Sequence, residues 1–288
     1  MTLSFEARVP QELRINTTVG VDYLTKRLRS YIFEYAGCES ATIGLSGGVD
    51  SAVVAFLAVK ALGVNRTHLY FLPSKTTSKE DLEDSQILAE TLGVPKGNFR
   101  IIPIDGIVDD IVQAAHIAQS DRLGIGNVKA RTRMILLHSF ARFNKGLVVG
   151  TGDKSEITIG YFTKFGDGGV DVLPIGDLYK TQVRQMALEM RLPARVYEKS
   201  PSPGLWPGQT AEKELGMDYF LLDQVLFRRF DLWRDEECIA SELRIPIKKV
   251  RKIVQQVKST QHKRYPAEIF KLGFRCHGSD WRYPREWA

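Results

Sequence analysis

Eight residues, Gly44-Leu45-Ser46-Gly47-Gly48-Val49-Asp50-Ser51, constrain the fold more than any other stretch of this chain. The run before them, Ala41-Thr42-Ile43, is short, apolar and partly β-branched, the pattern of a buried strand. The run after them, 52–62, reads as a helix, with Gly63 placed to end it. Strand, glycine turn and helix aim free backbone N–H groups and a positive dipole end at one point, where an anion such as phosphate can bind. Gly47 and Gly48 let the backbone approach an anion without an intervening Cβ. Ser46 and Ser51 add hydroxyl donors, and Asp50 adds a carboxylate suited to Mg²⁺ beside the phosphate. The spacing is not that of the P-loop, which needs four residues between glycines and then Gly-Lys-Ser/Thr.

The rest of the chain repeats the strand-then-helix alternation. Strand patterns are expected at 67–72, 99–104 and 147–150. Helix patterns are expected from Ser78 to Gly93, with Asp81 as capping-box partner, over 107–118, and from an N-cap at Asn127 through Arg142. A helix over 17–35 precedes them. Such alternation predicts an α/β fold, a doubly wound parallel sheet with helices on both faces. Ligands of such sheets bind beyond the C-terminal strand ends, where the strand order switches. Beyond residue 175 the pattern is helical, at 179–190, 218–233, 235–243 and 246–261, and the last stretch, 273–288, carries no periodicity. Without repeats or a low-complexity linker, one domain is expected: a nucleotide-binding core over 15–175, a helical part over 176–270 and a tail over 271–288.

The chain has 288 residues, 43% of them hydrophobic, but no stretch reaches the roughly 18–20 apolar residues of a membrane span. The first eight residues lack a signal-peptide core, so a cytoplasmic location is expected. Cys38, Cys238 and Cys276 are scattered and odd in number, against a disulfide framework or zinc site. The formal charge of +6 suits nucleic acid or polyanionic small molecules.

Four further segments carry chemistry. Thr151-Gly152-Asp153-Lys154-Ser155-Glu156 follows the strand at 147–150 and should reach the same rim as the glycine loop. Glu156 is placed to supply a second Mg²⁺ carboxylate, and Thr151 to touch a nucleotide. The glycine-rich run 160–171, with Tyr161, Phe162, Lys164, Asp167 and Asp171, reads as a loop that orders over substrate. Lys180 can place an ammonium on a triphosphate, and the Pro/Gly loop 200–209 carries Leu205 and Trp206, which are costly to leave exposed.

The glycine loop resembles the Ser-Gly-Gly-x-Asp-Ser loop of the ATP pyrophosphatases, which cleave ATP to AMP and pyrophosphate while activating a substrate oxygen. Six blocks then occur in the order found in NAD synthetases: 44–51, 127–134, 151–156, 161–171, the 200–209 loop with Glu214-Leu215-Gly216, and His262-Lys263-Arg264. The resemblance spans roughly residues 15–270 and implies an adenine nucleotide α-hydrolase-like fold. It also implies a reaction in which ATP adenylates the nicotinate carboxylate of deamido-NAD, pyrophosphate leaves, and ammonia displaces AMP to form the amide. By resemblance, Gly44 to Ser51, Thr151, Lys180 and Ser202 contact ATP as co-substrate, while Asp50 and Glu156 hold Mg²⁺; Asp50 and Lys180 carry the catalytic roles. Arg131, Lys164, Asp171, His262 and Lys263 contact deamido-NAD. The resemblance implies a homodimer with the dinucleotide near the subunit interface, with no nucleic-acid or membrane partner, and the 17–35 helix is the candidate contact.

Glutamine-using relatives carry an additional amidohydrolase domain with a Glu-Lys-Cys site; here the loop begins at residue 44 and Cys38 has no such setting, so ammonia is the expected nitrogen source. Two alternatives remain. Another ATP pyrophosphatase, such as a tRNA-modifying thiolase or lysidine-forming enzyme, is favoured by the positive charge and opposed by the unpaired cysteines and the 161–171 block. A non-catalytic nucleotide sensor has no use for two metal-suited carboxylates.

Overall fold

A computed structural model gives the structure of the chain and describes residues 9–199, 202, 204–206 and 208–276. Residues 200, 201, 203 and 207 of the Pro/Gly loop, and the part of the aperiodic tail from 277 on, lie outside the described residues. Four strands, β1 (Ser40–Gly44), β2 (Thr67–Phe71), β3 (Phe99–Ile101) and β4 (Gly146–Val148), form one parallel sheet in the order β3-β2-β1-β4. The expected doubly wound sheet is present. The chain builds outward from β1 through β2 to β3 and then returns to the far side of β1 for β4. The order therefore reverses between β1 and β4, which puts the ligand crevice of such a sheet at their C-terminal ends.

Helix α1 (Thr17–Ser30) continues into a π-helical turn, Tyr31–Tyr35. Helix α2 (Val49–Leu62) follows the glycine loop and is the most buried element: ten of its residues are in the interior. Together with β1, α1 and α7 (Lys180–Glu189) it forms the principal core. Helices α3 (Lys79–Thr91), α4 (Asp105–Ala114) and α5 (Arg122–Phe143) link the remaining strands, and α6 (Lys154–Ile159) follows β4. The C-terminal half adds α8 (Ala194–Tyr197), α9 (Ala211–Leu215), α10 (Tyr219–Leu226), α11 (Glu236–Glu242), α12 (Ile247–Ser259) and α13 (Gln261–Arg264). Its apolar faces pack into a second core around Tyr219, Leu222, Val225, Ile239 and Val250. None of the described helices is long and apolar enough to cross a membrane.

Several boundaries differ from the sequence reading: the helix expected over 107–118 spans Asp105–Ala114, and two other ends and one cap differ for local reasons. Strand β3 ends at Ile101 instead of 104. Ile102 and Ile104 still donate to the Phe71 and Pro73 carbonyls, but Pro73 has no N–H to return a bond to the Ile102 carbonyl, so the ladder stops. Helix α5 starts at Arg122, five residues before Asn127, because the Asp121 carboxylate accepts from the Gly124 N–H and caps it. Asn127 therefore lies inside the helix, where its side chain accepts from the Thr163 hydroxyl. At α3, Ser78 caps through the Asp81 N–H, but the reciprocal half of the capping box is missing. The Asp81 carboxylate is instead drawn 2.6 Å from Lys199 Nζ.

Candidate active site

The glycine loop is held in shape by its two serines. Ser51, 1% exposed, donates to the Gly48 carbonyl at 3.0 Å and accepts from the Ser46 N–H at 3.1 Å. Ser46 Oγ lies 3.1 Å from Ser51 Oγ and accepts from the Gly48 N–H at 3.3 Å. Ser51 is thus a strut behind the turn, while Ser46 faces the cavity. Gly47 has φ +79°, and a Cβ there would stand 2.7 Å from the Asp81 carbonyl oxygen at the start of α3. Only glycine fits between these two backbones. The loop ends at the first turn of α2, whose leading N–H groups have no intrahelical acceptors.

A cavity of about 410 Å³ opens over this loop at the β1/β4 switch point. Gly44, Leu45, Ser46, Gly48, Val49 and Asp50 form one wall. Thr151 and Glu156 from the β4 side, Ser202 from the Pro/Gly loop and Lys263 from α13 also line it. The structure therefore brings most of the expected nucleotide contacts to one place.

Beneath the cavity sits a buried cluster of four charged side chains. Lys180 Nζ, at the start of α7, has no solvent exposure and lies 2.6 Å from Asp50 Oδ2, 2.8 Å from Glu156 Oε1 and 3.0 Å from Asp153 Oδ2. One oxygen from each carboxylate falls within 4.8 Å of the others. Burial raises the Asp153 carboxyl to about 6 despite the attraction of Lys180, and burial likewise raises Glu156 well above the usual carboxylate range. Burial works to lower Lys180, but Asp153, Asp50 and Glu156 outweigh it and hold the ammonium well above its ordinary value. Three carboxylates against one ammonium leave excess negative charge, and Asp50 Oδ1 is buried with no hydrogen-bond donor. These residues fit a hard divalent cation: Mg²⁺ takes one or two carboxylates and completes its shell with phosphate oxygens and water.

Asp153, to which the sequence alone assigns no role, joins Asp50 and Glu156 in this cluster. It caps α6, accepting from the Glu156 N–H at 2.8 Å. That i, i+3 relation was the available signal, since it places both carboxylates at one helix end.

The cavity also has a cover. Tyr161 donates to Glu214 Oε2 at 2.6 Å, and Gln209 donates to Glu214 Oε1 at 3.0 Å. Gln209 in turn accepts from the Leu205 N–H and, through its carbonyl, from the Ser202 hydroxyl. On the opposite side Lys129 Nζ donates to Thr76 Oγ1 and to the Leu205 carbonyl, both at 2.9 Å. The glycine-rich run and the Pro/Gly loop are therefore joined to each other and anchored to α5. Arg133, also on α5, lines the cavity and donates Nε to the Leu72 carbonyl.

Four of the five residues expected at deamido-NAD stand outside this cavity. Arg131 and His262 are exposed, and Lys164 donates to the carbonyls of His262 and Pro266. Asp171 accepts from the Val148 N–H at 2.8 Å. It lines a separate cleft of about 390 Å³ with Tyr23, Leu24, Arg27 and Tyr31 of the α1 segment. Lys263 alone of the five reaches the cavity, with Nζ 2.9 Å from the Gly160 and Phe162 carbonyls.

A parallel α/β sheet with a glycine loop and an acidic, lysine-centred floor at its switch point defines a nucleotide-type α/β fold. Within that class, the family model for NAD synthase matches residues 20–267, and the chain belongs to this family of ligases. It is 48% identical to an NH₃-dependent NAD(+) synthetase of Sulfolobus acidocaldarius over 280 residues, covering 97% of this chain and 99% of the relative. The corresponding protein of Saccharolobus solfataricus is also 48% identical, over 97% of this chain and 99% of its own length. Among solved structures, an NMN synthetase from Francisella tularensis superimposes with a TM-score of 0.78 at 31% identity, covering 90% of this chain and all of that one. An NH₃-dependent NAD synthetase from Campylobacter jejuni shares the fold, with a TM-score of 0.70 at 24% identity over 94% of this chain and all of its own.

Proposed function

We propose that the chain amidates deamido-NAD with ammonia at the expense of ATP, releasing AMP and pyrophosphate. The observation that supports this most is the Asp50–Asp153–Glu156–Lys180 floor beside the Gly44–Ser51 loop, at 48% identity to named synthetases. A carboxylate resists amines because its leaving group would be oxide. Attack of a nicotinate carboxylate oxygen on the α-phosphorus of ATP forms a C–O–P link and expels pyrophosphate. Ammonia then attacks the acyl carbon, the C–O bond to AMP breaks, and the nitrogen sheds a proton to leave the neutral amide.

Each step uses residues already placed. The loop N–H groups and Ser46 grip the departing pyrophosphate. Thr151 and Ser202 complete the ATP contacts from the cavity wall, while the Lys180 ammonium, buried beneath it, holds Asp50 and Glu156 in place and adds positive charge behind them. Asp50 and Glu156, joined by Asp153, would hold Mg²⁺, which when bound would supply positive charge against the phosphates. The cover made by Tyr161, Glu214, Gln209 and Lys129 keeps water from the adenylate, which would otherwise hydrolyse.

The exposed positions of Arg131, Asp171 and His262, with half-buried Lys164 beside His262, fit a dinucleotide site completed by a second copy. Val19 and Tyr23 on α1 are 62% and 59% exposed, and Tyr23 borders the cleft that contains Asp171. We therefore read the working form as a homodimer with α1 at the contact. The test mixes purified chain, ATP, Mg²⁺, ammonium and deamido-NAD, and follows NAD and pyrophosphate. Equal release of both supports the proposal. Turnover with nicotinate mononucleotide in place of the dinucleotide would move the substrate assignment, and pyrophosphate released only with tRNA would refute it.

A further inference from the structure

Asp223 on α10 is fully buried and forms no ion pair among the described residues. Burying a carboxylate without a cation is costly unless hydrogen bonds compensate, and here they are unusually directed. Its Oδ1 accepts from the Ser155 hydroxyl at 2.5 Å, and its Oδ2 accepts from both the Thr181 N–H and the Thr181 hydroxyl at 2.8 Å. Ser155 Oγ accepts in turn from the Lys180 N–H at 2.9 Å. Ser155 adjoins Glu156 in the first turn of α6, and Thr181 adjoins Lys180 in the first turn of α7. A single side chain thus ties together the two helix starts whose neighbouring residues, Lys180 and Glu156, meet at 2.8 Å in the floor.

We propose that Asp223 is a positioning residue for the reaction: through Ser155 and Thr181 it fixes Lys180 and Glu156 relative to each other before nucleotide arrives. It touches no reacting group. Its contribution is preorganisation, since a floor free to relax would have to be ordered at each turnover. The Lys154 N–H to the Leu178 carbonyl also joins the two segments but fixes backbone only, and the Lys180 pairs to Asp153 and Glu156 are the contacts whose geometry Asp223 sets from behind. The carboxylate is required because it alone accepts on both sides. An amide there would present N–H groups to a hydroxyl that must donate.

This inference rests on the amidation reading, and the experiment separates the two. Asp223→Asn and Ser155→Ala are made in the full chain. Turnover is followed with deamido-NAD, and Mn²⁺ binding is followed by its EPR signal with a non-hydrolysable ATP analogue and no dinucleotide. Wild-type turnover tests the amidation reading; the Mn²⁺ arm does not depend on it. Partners that orient metal ligands typically contribute 10- to 100-fold. Asp223→Asn is expected to lower kcat about tenfold or more and to weaken Mn²⁺ binding by a similar factor, with the KM for deamido-NAD and the circular dichroism unchanged. Ser155→Ala, which removes one link, should shift both in the same direction by less. Unchanged Mn²⁺ affinity, or a kcat per folded molecule equal to wild type, overturns the proposal. If Asp223→Asn fails to fold, Ser155→Ala alone decides by the same two readouts.

Discussion

A Cβ on Gly47 would meet the Asp81 carbonyl oxygen at 2.7 Å, and φ there is +79°, so Gly47→Ala strains the loop twice over. A loss of about 1–3 kcal/mol is expected from the backbone conformation alone. Gly20, inside α1 with nothing within 4 Å of where a methyl would sit, is the control: Gly20→Ala should gain roughly 0.5–1 kcal/mol. Urea midpoints of the two variants check both signs, and an unchanged midpoint for Gly47→Ala would contradict the packing described. A sharper residue-scale prediction concerns Asp153. Asparagine caps a helix about as well as aspartate, so Asp153→Asn keeps α6 but removes one of three charges from the floor. Turnover should fall at least about tenfold with little change in melting temperature. Melting that drops with intact turnover would make Asp153 a cap and nothing more. The glycine loop with Asp50, and Glu156 after β4, stand out in sequence because each lies in a short motif; Lys180 was expected at the triphosphate through the resemblance, and its burial among the carboxylates comes from packing distant in sequence. Asp153 was harder to see, since its capping role hid its approach to Lys180 from another helix.

At the scale of elements, the sheet and nearly every helix follow from periodicity, while the ends depend on partners distant in sequence. The start of α5 was obscured by Gly124 and Gly126, which lower helix propensity, and by a cap at Asp121 that no apolar period announces. The half-made box at Ser78 fails because Lys199, over a hundred residues later, takes the Asp81 carboxylate. Asp223 shows the same limit: on sequence it is one polar residue of an amphipathic helix, and only tertiary packing gives it Ser155 and Thr181. Burial raises its carboxyl to about 7, above the ordinary 3.8. The folded state therefore holds a proton that the unfolded chain gives up between pH 4 and 7, and stability from this site falls as pH rises through that window. Asp223→Asn has no such proton. The stability difference, wild type minus variant, should decline from pH 4 to about 7 and level above it. Urea melts across that range check the sign; a difference that rises with pH would contradict the buried, cation-free setting.

At the scale of the whole molecule, one cavity holds the phosphate loop and the acidic floor, whereas most residues expected at the dinucleotide face outward. The proposed homodimer, with α1 buried at its contact, would account for both. Sedimentation should give twice the monomer mass, and Val19→Glu with Tyr23→Glu should give monomers that bind ATP but lose deamido-NAD. Monomeric wild type with full dinucleotide affinity would contradict this assembly. The homodimer and the 17–35 helix contact were expected through the resemblance and not from the residues alone, because an exposed apolar helix face looks the same whether its cover is the sheet or a second chain. The central claim, that the substrate carboxylate is adenylated, is tested most directly by oxygen transfer. Deamido-NAD labelled with ¹⁸O in its carboxylate is turned over with ATP and ammonium, and the products are weighed by mass spectrometry. The account predicts one heavy oxygen in AMP, the other in the NAD amide and none in pyrophosphate; unlabelled AMP, or ADP with labelled phosphate, would contradict it.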